Sequence, residues 1–180
     1  MTNQATAALP APEELVLLGG LLSEPVDESR EVLAELAGDH PWLAPAAAEL
    51  AELTLAEWQA EHTRLFVSGH PGTPCPPFES AYREGRMWGD SADAWDELHR
   101  RAGRDPGGMP PDYLGNALAL VAGELESDPP DPEGIATAGW ERLTRWLPDF
   151  ARDLRENSGL ILYRALGERI AALTAPMETQ

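Results

Sequence analysis

The residues whose types could do chemistry are four histidines (His40, His62, His70 and His99), one cysteine (Cys75) and two distinctively placed carboxylates, Glu79 and Asp112. None of the histidines forms an HExxH pair, and no His/Cys/Asp group has metal-ligand spacing. No metal site and no cofactor are therefore expected. His70 and Cys75 share a proline-rich loop, where a Cys–His nucleophile is conceivable. No third, orienting group accompanies them, and a lone Cys before Pro76-Pro77 reads as a loop residue. No catalytic residue is assigned, and the chain is not expected to be an enzyme. Glu79 follows Pro76-Pro77-Phe78 and precedes Tyr82 by one helical turn, so it reads as a helix-start carboxylate favoured by the dipole. Asp112, after Pro110-Pro111, reads as a helix cap. His62 lies on an apolar helix face and reads as a core histidine with one hydrogen-bond partner.

Around these residues the apolar pattern has helical period almost throughout. Pro12 to Leu22 aligns Leu15, Leu18 and Leu22. Asp27 to Ala37 is expected to bury Val32, Leu33 and Leu36, with Gly38 as the stop. Thr54 and Glu57 have capping-box spacing and open a helix carrying Leu55, Trp58, His62, Leu65 and Phe66. From Val67 to Phe78 the prolines and glycines exclude a helix or a central strand. A short helix is predicted over Glu79 to Trp88, then one capped by Ser91 and running to Ala102. Asp112 is predicted to cap a helix with Leu114, Leu118, Val121 and Leu125 on one stripe. Glu133 to Arg145 reads as helix, and Pro148 interrupts it or starts another. Ser158 caps a last helix with Leu160, Tyr163, Leu166, Ile170 and Leu173. No stretch alternates with period two. The expectation is an all-α, single-domain helical bundle over residues 1–180, with 1–11 flexible.

The formal net charge is -18, and all 13 basic residues are Arg. Such a chain repels phosphate backbones, so nucleic acid is a poor partner. A basic peptide would be drawn to it, although acidity alone identifies no partner. Without Lys there is no Walker-type phosphate loop. One cysteine excludes an internal disulfide and suits a reducing compartment. Met1 to Pro10 has no Lys or Arg and no long apolar run, and no segment approaches the ~20 residues of a bilayer span. A cytoplasmic protein without stable membrane insertion is expected. Among the six tryptophans, most are expected in the core. Trp146, beside Pro148, is placed to line a surface cleft.

Six segments, in order, resemble the TorD/DmsD family of molybdoenzyme-specific chaperones. They are Glu61-His62-Thr63-Arg64-Leu65-Phe66-Val67-Ser68-Gly69, Pro76-Pro77-Phe78-Glu79-Ser80-Ala81-Tyr82, Gly89-Asp90-Ser91, Pro110-Pro111-Asp112-Tyr113-Leu114-Gly115, Trp146-Leu147-Pro148-Asp149-Phe150 and Leu162-Tyr163-Arg164-Ala165-Leu166-Gly167. Each is weak alone; six in order are specific. The resemblance implies a chaperone that binds the twin-arginine signal peptide, the body, or both, of a molybdopterin oxidoreductase precursor. It would assist cofactor insertion and delay export. It also implies a peptide-binding role, direct or by shaping the groove, for His62, Leu65, Phe66, Pro77, Phe78, Glu79, Tyr82, Asp112, Tyr113, Trp146 and Phe150. The chain departs from the family at His62 (often Trp), Tyr113 (His), Ala117 (Glu) and Arg142 (His). Tyr113 keeps an aromatic face but cannot titrate near neutrality, so a His-dependent switch is not expected. The weak guanine-nucleotide binding of some relatives is not expected either. The alternative reading is an assembly factor for a mature, leaderless subunit, as in the nitrate-reductase branch. A monomer or a homodimer exchanging helices fits both.

Overall fold

The computed structural model of the chain describes residues 9–69 and 72–175. His70 therefore lies outside the described residues, and so does the conceivable, but not expected, Cys–His pair. The helices are α1 (Pro12–Leu21), α2 (Ser29–Asp39), α3 (Ala44–Glu52), α4 (Leu55–Phe66), α5 (Glu79–Arg83), α6 (Asp90–Arg101), α7 (Leu114–Leu125), α8 (Ile135–Leu143), α9 (Leu147–Asn157) and α10 (Ile161–Thr174). A 3-10 turn, Pro41–Leu43, joins α2 to α3. Among the described residues, β pairing is one antiparallel bridge, Phe78 with Tyr113. The fold is all-α, as the periodicity predicts.

The chain divides into two compact units, each discontinuous in sequence. The first holds residues 9–22, 77–148 and 173–175 among those described. Its core is α7, packed against α1 and α8, with α6 against α5 and α8. Leu15, Leu18, Trp95, Leu114, Leu118, Val121, Ile135 and Trp140 are buried there. Helix α8 approaches closely because residue 139 is Gly: a Cβ would meet Val121 at 2.8 Å and Trp95 at 3.3 Å.

The second unit holds 23–69 and 72–76, then 149–172. It buries Leu33, Leu43, Leu50, Trp58, Leu65, Phe66, Phe150, Leu154, Tyr163, Leu166 and Ile170. Helix α10 packs on α9 at Gly167, where a Cβ would lie 2.7 Å from the Ala151 carbonyl oxygen. Thr54 and Glu57 form the expected capping box at the start of α4.

Several expectations need correction. Val32 is half exposed rather than buried, because only Leu33 of that helix reaches the core. Gly38 does not stop α2, which continues to Asp39. The helix from Glu79 ends at Arg83, not Trp88: Gly85 (φ 67°) and Trp88 (φ 59°) take left-handed backbone, which an α-helix cannot include. Gly89, not Ser91, is the N-cap of α6; the Ser91 hydroxyl instead donates to Glu84 at 2.6 Å. Asp112 does not cap its own helix. Its carboxylate accepts from the Ser80 N–H at 2.8 Å and so caps α5 from across the first unit. Helix α8 spans a shorter range than Glu133 to Arg145 because Gly134 enters it with φ 67°. Pro148 falls within the first turn of α9, where its missing N–H costs nothing. Trp146 is only 1% exposed rather than at the surface, and its ring packs 5.4 Å from that of Tyr82.

Candidate functional site

In the first unit the motif residues converge on Glu79. The sequence Pro76-Pro77-Phe78 is extended because each proline disfavours helix in the residue before it, and helix α5 then opens at Glu79. Phe78 pairs with Tyr113, and the Leu114 N–H donates to the Pro77 carbonyl at 2.9 Å. These contacts bring the second and fourth motifs side by side. Their rings lie 5.7 Å apart. The Tyr113 ring in turn lies against Gly115, where a Cβ would sit 2.5 Å from its Cε1. That close approach is a physical reason for glycine at this motif position.

Glu79 is 1% exposed. Its Oε2 accepts from Trp95 Nε1 at 2.6 Å and from Arg142 Nε at 3.2 Å, and its Oε1 accepts from Arg142 at 2.7 Å. Arg83 stands 3.8 Å away on the same helix. Burial pushes the Glu79 carboxyl above its usual range, while Arg142, Trp95 and Arg83 pull the other way. The site is a desolvated carboxylate clamped by a guanidinium fork. Asp112 is fully buried beside it in the chain's fold: one oxygen caps Ser80, and Oδ1 has no hydrogen-bond partner. Of the expected peptide contacts in this unit, Pro77, Phe78, Glu79, Asp112 and Trp146 are buried, whereas Tyr82 and Tyr113 are only partly buried.

In the second unit His62, Leu65, Phe66 and Phe150 lie in an aromatic cluster. His62 and Tyr163 lie 5.1 Å from Phe66, and Phe150 lies 6.4 Å from it. Trp58 Nε1 donates to the Tyr163 hydroxyl at 3.0 Å. All of these side chains are buried. The loop after α4 returns through the Cys75 N–H, which donates to the Leu65 carbonyl at 2.9 Å. Gly69 is required there, since a Cβ would lie 2.5 Å from the Gly72 carbonyl oxygen. Cys75 is buried, and desolvation pushes its thiol up to about 12. A thiol so protonated is a poor nucleophile at neutral pH.

Sequence reasoning missed Trp95 as a partner of Glu79. Nothing local links positions 16 residues apart in chain, so only the fold brings them together. Arg142 carried a signal, as a charged residue where the resembled family has His, but its pairing did not follow from that. Trp88 was noted only as one of six tryptophans, yet it is 61% exposed on left-handed backbone, next to exposed Met87. Among the described residues, no three His, Cys, Asp or Glu side chains are placed to hold a metal. Nor is any helix long and apolar enough to cross a membrane.

The all-helical fold, taken with a family match, places the chain in the class of redox-enzyme maturation chaperones. A sequence model of the family described as "Nitrate reductase delta subunit" matches residues 21–152, and the chain belongs to that family, which includes the TorD-type chaperones. A solved structure, from Archaeoglobus fulgidus and named as a candidate redox enzyme maturation protein, is similar at 23% identity and a TM-score of 0.68. The match covers 95% of this chain and 98% of that one, and shows the shared fold. No curated protein matches the sequence.

Proposed function

We propose that the protein is a cytoplasmic chaperone that binds the twin-arginine leader of a molybdopterin oxidoreductase precursor, holding the client until its cofactor is inserted. The observation that carries this reading is the meeting of two motifs at the Phe78–Tyr113 bridge, with Tyr82 and Tyr113 partly buried and partly open to solvent. Aromatic side chains with part of their surface open to solvent are suited to anchor a peptide. The charge of -18 favours encounter with a basic leader. In this reading Tyr82 and Tyr113 touch the peptide. Pro77, Phe78, Glu79, Asp112 and Trp146 hold the shape of its surroundings within the first unit, while His62, Leu65, Phe66 and Phe150 belong to the buried cluster of the second.

Titration with synthetic leaders of the source organism's molybdoenzymes, followed by tryptophan fluorescence, tests it. Tyr82→Ala and Tyr113→Ala should each weaken binding by about 1–2 kcal/mol while leaving the fold intact. Failure of every leader to bind the wild-type protein would remove the reading. A second reading takes up the nitrate-reductase name of the family: the client is the mature body of a leaderless catalytic subunit. Co-purification with a client whose leader has been deleted supports that reading; loss of co-purification supports the first.

A further inference from the structure

Between α5 and α6 the chain exposes side chains that the first unit does not use. Met87 is 45% exposed and Trp88 61%. Trp88 also takes left-handed backbone, with φ 59°, which bulky L residues rarely adopt. Strain of this kind persists only where the surrounding structure enforces it, and it gathers at functional sites. Burial of the ring offers no compensation here, since most of Trp88 faces water.

The turn is held from beneath. The Ser91 hydroxyl donates to one Glu84 oxygen at 2.6 Å, and the other Glu84 oxygen is buried. Gly89 lies against that carboxylate, with which a Cβ would collide. Glu84 is therefore engaged at the start of α6 and does not serve as counter-charge to the arginines of the turn.

Those arginines are the second observation. In a chain with 31 acidic and 13 basic residues, an exposed Arg readily finds a carboxylate. Elsewhere in the first unit Arg100 pairs with Asp96 and Glu97, Arg101 with Glu133 and Arg104 with Glu124. Arg86 is exposed and, among the described residues, makes no hydrogen bond or ion pair. Arg83, 43% exposed, has only Glu79 at 3.8 Å, whose charge Arg142 already holds with two hydrogen bonds. The nearby Asp90 is the first residue of α6, where the helix dipole favours it. Two adjacent apolar side chains beside unmatched guanidinia are complementary to an apolar group carried next to carboxylates.

We propose that this turn is a docking surface for an acidic, apolar segment of the client's mature body. Met87 and Trp88 take an apolar side chain, and Arg86 and Arg83 take carboxylates beside it. The inference rests on the chaperone reading for its client, but it names a part other than the basic leader, whose arginines Arg83 and Arg86 would repel. A short segment with one or two carboxylates suits the turn better than an anionic membrane or a second copy of the chain. The net charge of -18 repels either of those extended negative surfaces.

The test uses the full chain and acrylamide quenching of tryptophan fluorescence, because Trp88 is exposed to the quencher. The probes are a short peptide alternating Leu with Glu, its counterpart with Gln for Glu, and phosphatidylglycerol vesicles; the chain alone is followed over a concentration series. The Leu-Glu peptide should protect Trp88 saturably and the Gln counterpart more weakly. Arg86→Gln should weaken the Leu-Glu peptide about threefold, as for an exposed ion pair. Trp88→Asn should weaken it about tenfold, as for an aromatic anchor. Asn takes left-handed backbone more readily than Trp, so Trp88→Asn should also raise the urea midpoint. A lowered midpoint would make Trp88 a structural residue and overturn the proposal. Equal binding of the Gln counterpart overturns it as well. So does the absence of saturable protection by the Leu-Glu peptide; protection by vesicles or by rising chain concentration would then assign the turn to a membrane or to a second copy. A leader that binds while the Leu-Glu peptide does not removes this surface and keeps the leader reading, and the converse result does the reverse. Leader binding that Trp88→Asn abolishes gives the turn to the leader and overturns the proposal.

Discussion

Glu79 carries a charge that water cannot reach, and the side chains around it must satisfy that charge. Arg142 does so with two hydrogen bonds while itself remaining 23% exposed. Removing one partner of a buried pair leaves the other uncompensated, which costs about 3–5 kcal/mol. Arg142→Ala should therefore lower stability by about that amount, read from urea denaturation; a loss within the ordinary scatter of surface substitutions would show the pair to be dispensable. Glu79→Lys would set a cation against Arg142 and is expected to unfold the first unit, so it cannot report on peptide binding. His99 makes a pH prediction. Its folded pKa lies below the unfolded value of about 6.5, so the unfolded chain binds the proton more readily. The associated stability is complete above about pH 6.5 and is lost as pH falls toward the lower folded value. In a series of urea midpoints against pH, His99→Gln should lose this component of the slope.

At the scale of elements, caps and close approaches do the positioning. Thr54 Oγ1 accepts from the Glu57 N–H at 3.2 Å, and Glu57 returns the bond by accepting from the Thr54 N–H at 2.8 Å. Helix α4 carries His62, Leu65 and Phe66, so this box fixes where an aromatic cluster begins. Thr54→Ala should cost about 0.5–2 kcal/mol in equilibrium unfolding. Gly167 sets the approach of α10 to α9, and its neighbours include the Ala151 backbone, which cannot step aside cheaply. Gly167→Ala should cost about 1–3 kcal/mol by overpacking, against the usual gain of Ala over Gly inside a helix. A stabilised variant would mean that the two helices can separate without penalty. Helix α5, with five residues, is too short to stand on its own propensity. Asp112 supplies its cap from a distant motif, which explains why two motif carboxylates belong to one piece of structure.

For the whole molecule, charge is the property that acts at a distance. With 31 acidic and 13 basic residues the chain would attract the basic leader proposed above before any contact forms. Binding of a basic leader should therefore weaken as salt rises, chiefly through a slower association rate, because the Debye length shrinks to about 8 Å at physiological ionic strength. Stopped-flow titration at several salt concentrations measures this. Salt-independent association would show that the acidity serves solubility alone.

The helical class, the capping box of α4, the proline-rich break after Phe66 and the motif segments could all be read from the chain itself. They depend on the spacing of neighbours a few residues apart, and spacing is local information. What Glu79 and Asp112 do could not be read in this way. A carboxylate at a helix start looks the same whether water or Trp95 and Arg142 surrounds it, and burial is a property of packing. The same holds for Trp146, whose place beside a proline suggested a cleft and whose ring lies in the interior. Pairings such as Phe78 with Tyr113, and Glu79 with Arg142, join residues far apart in the chain. Only tertiary structure decides them, because it alone determines which distant groups exclude water from one another.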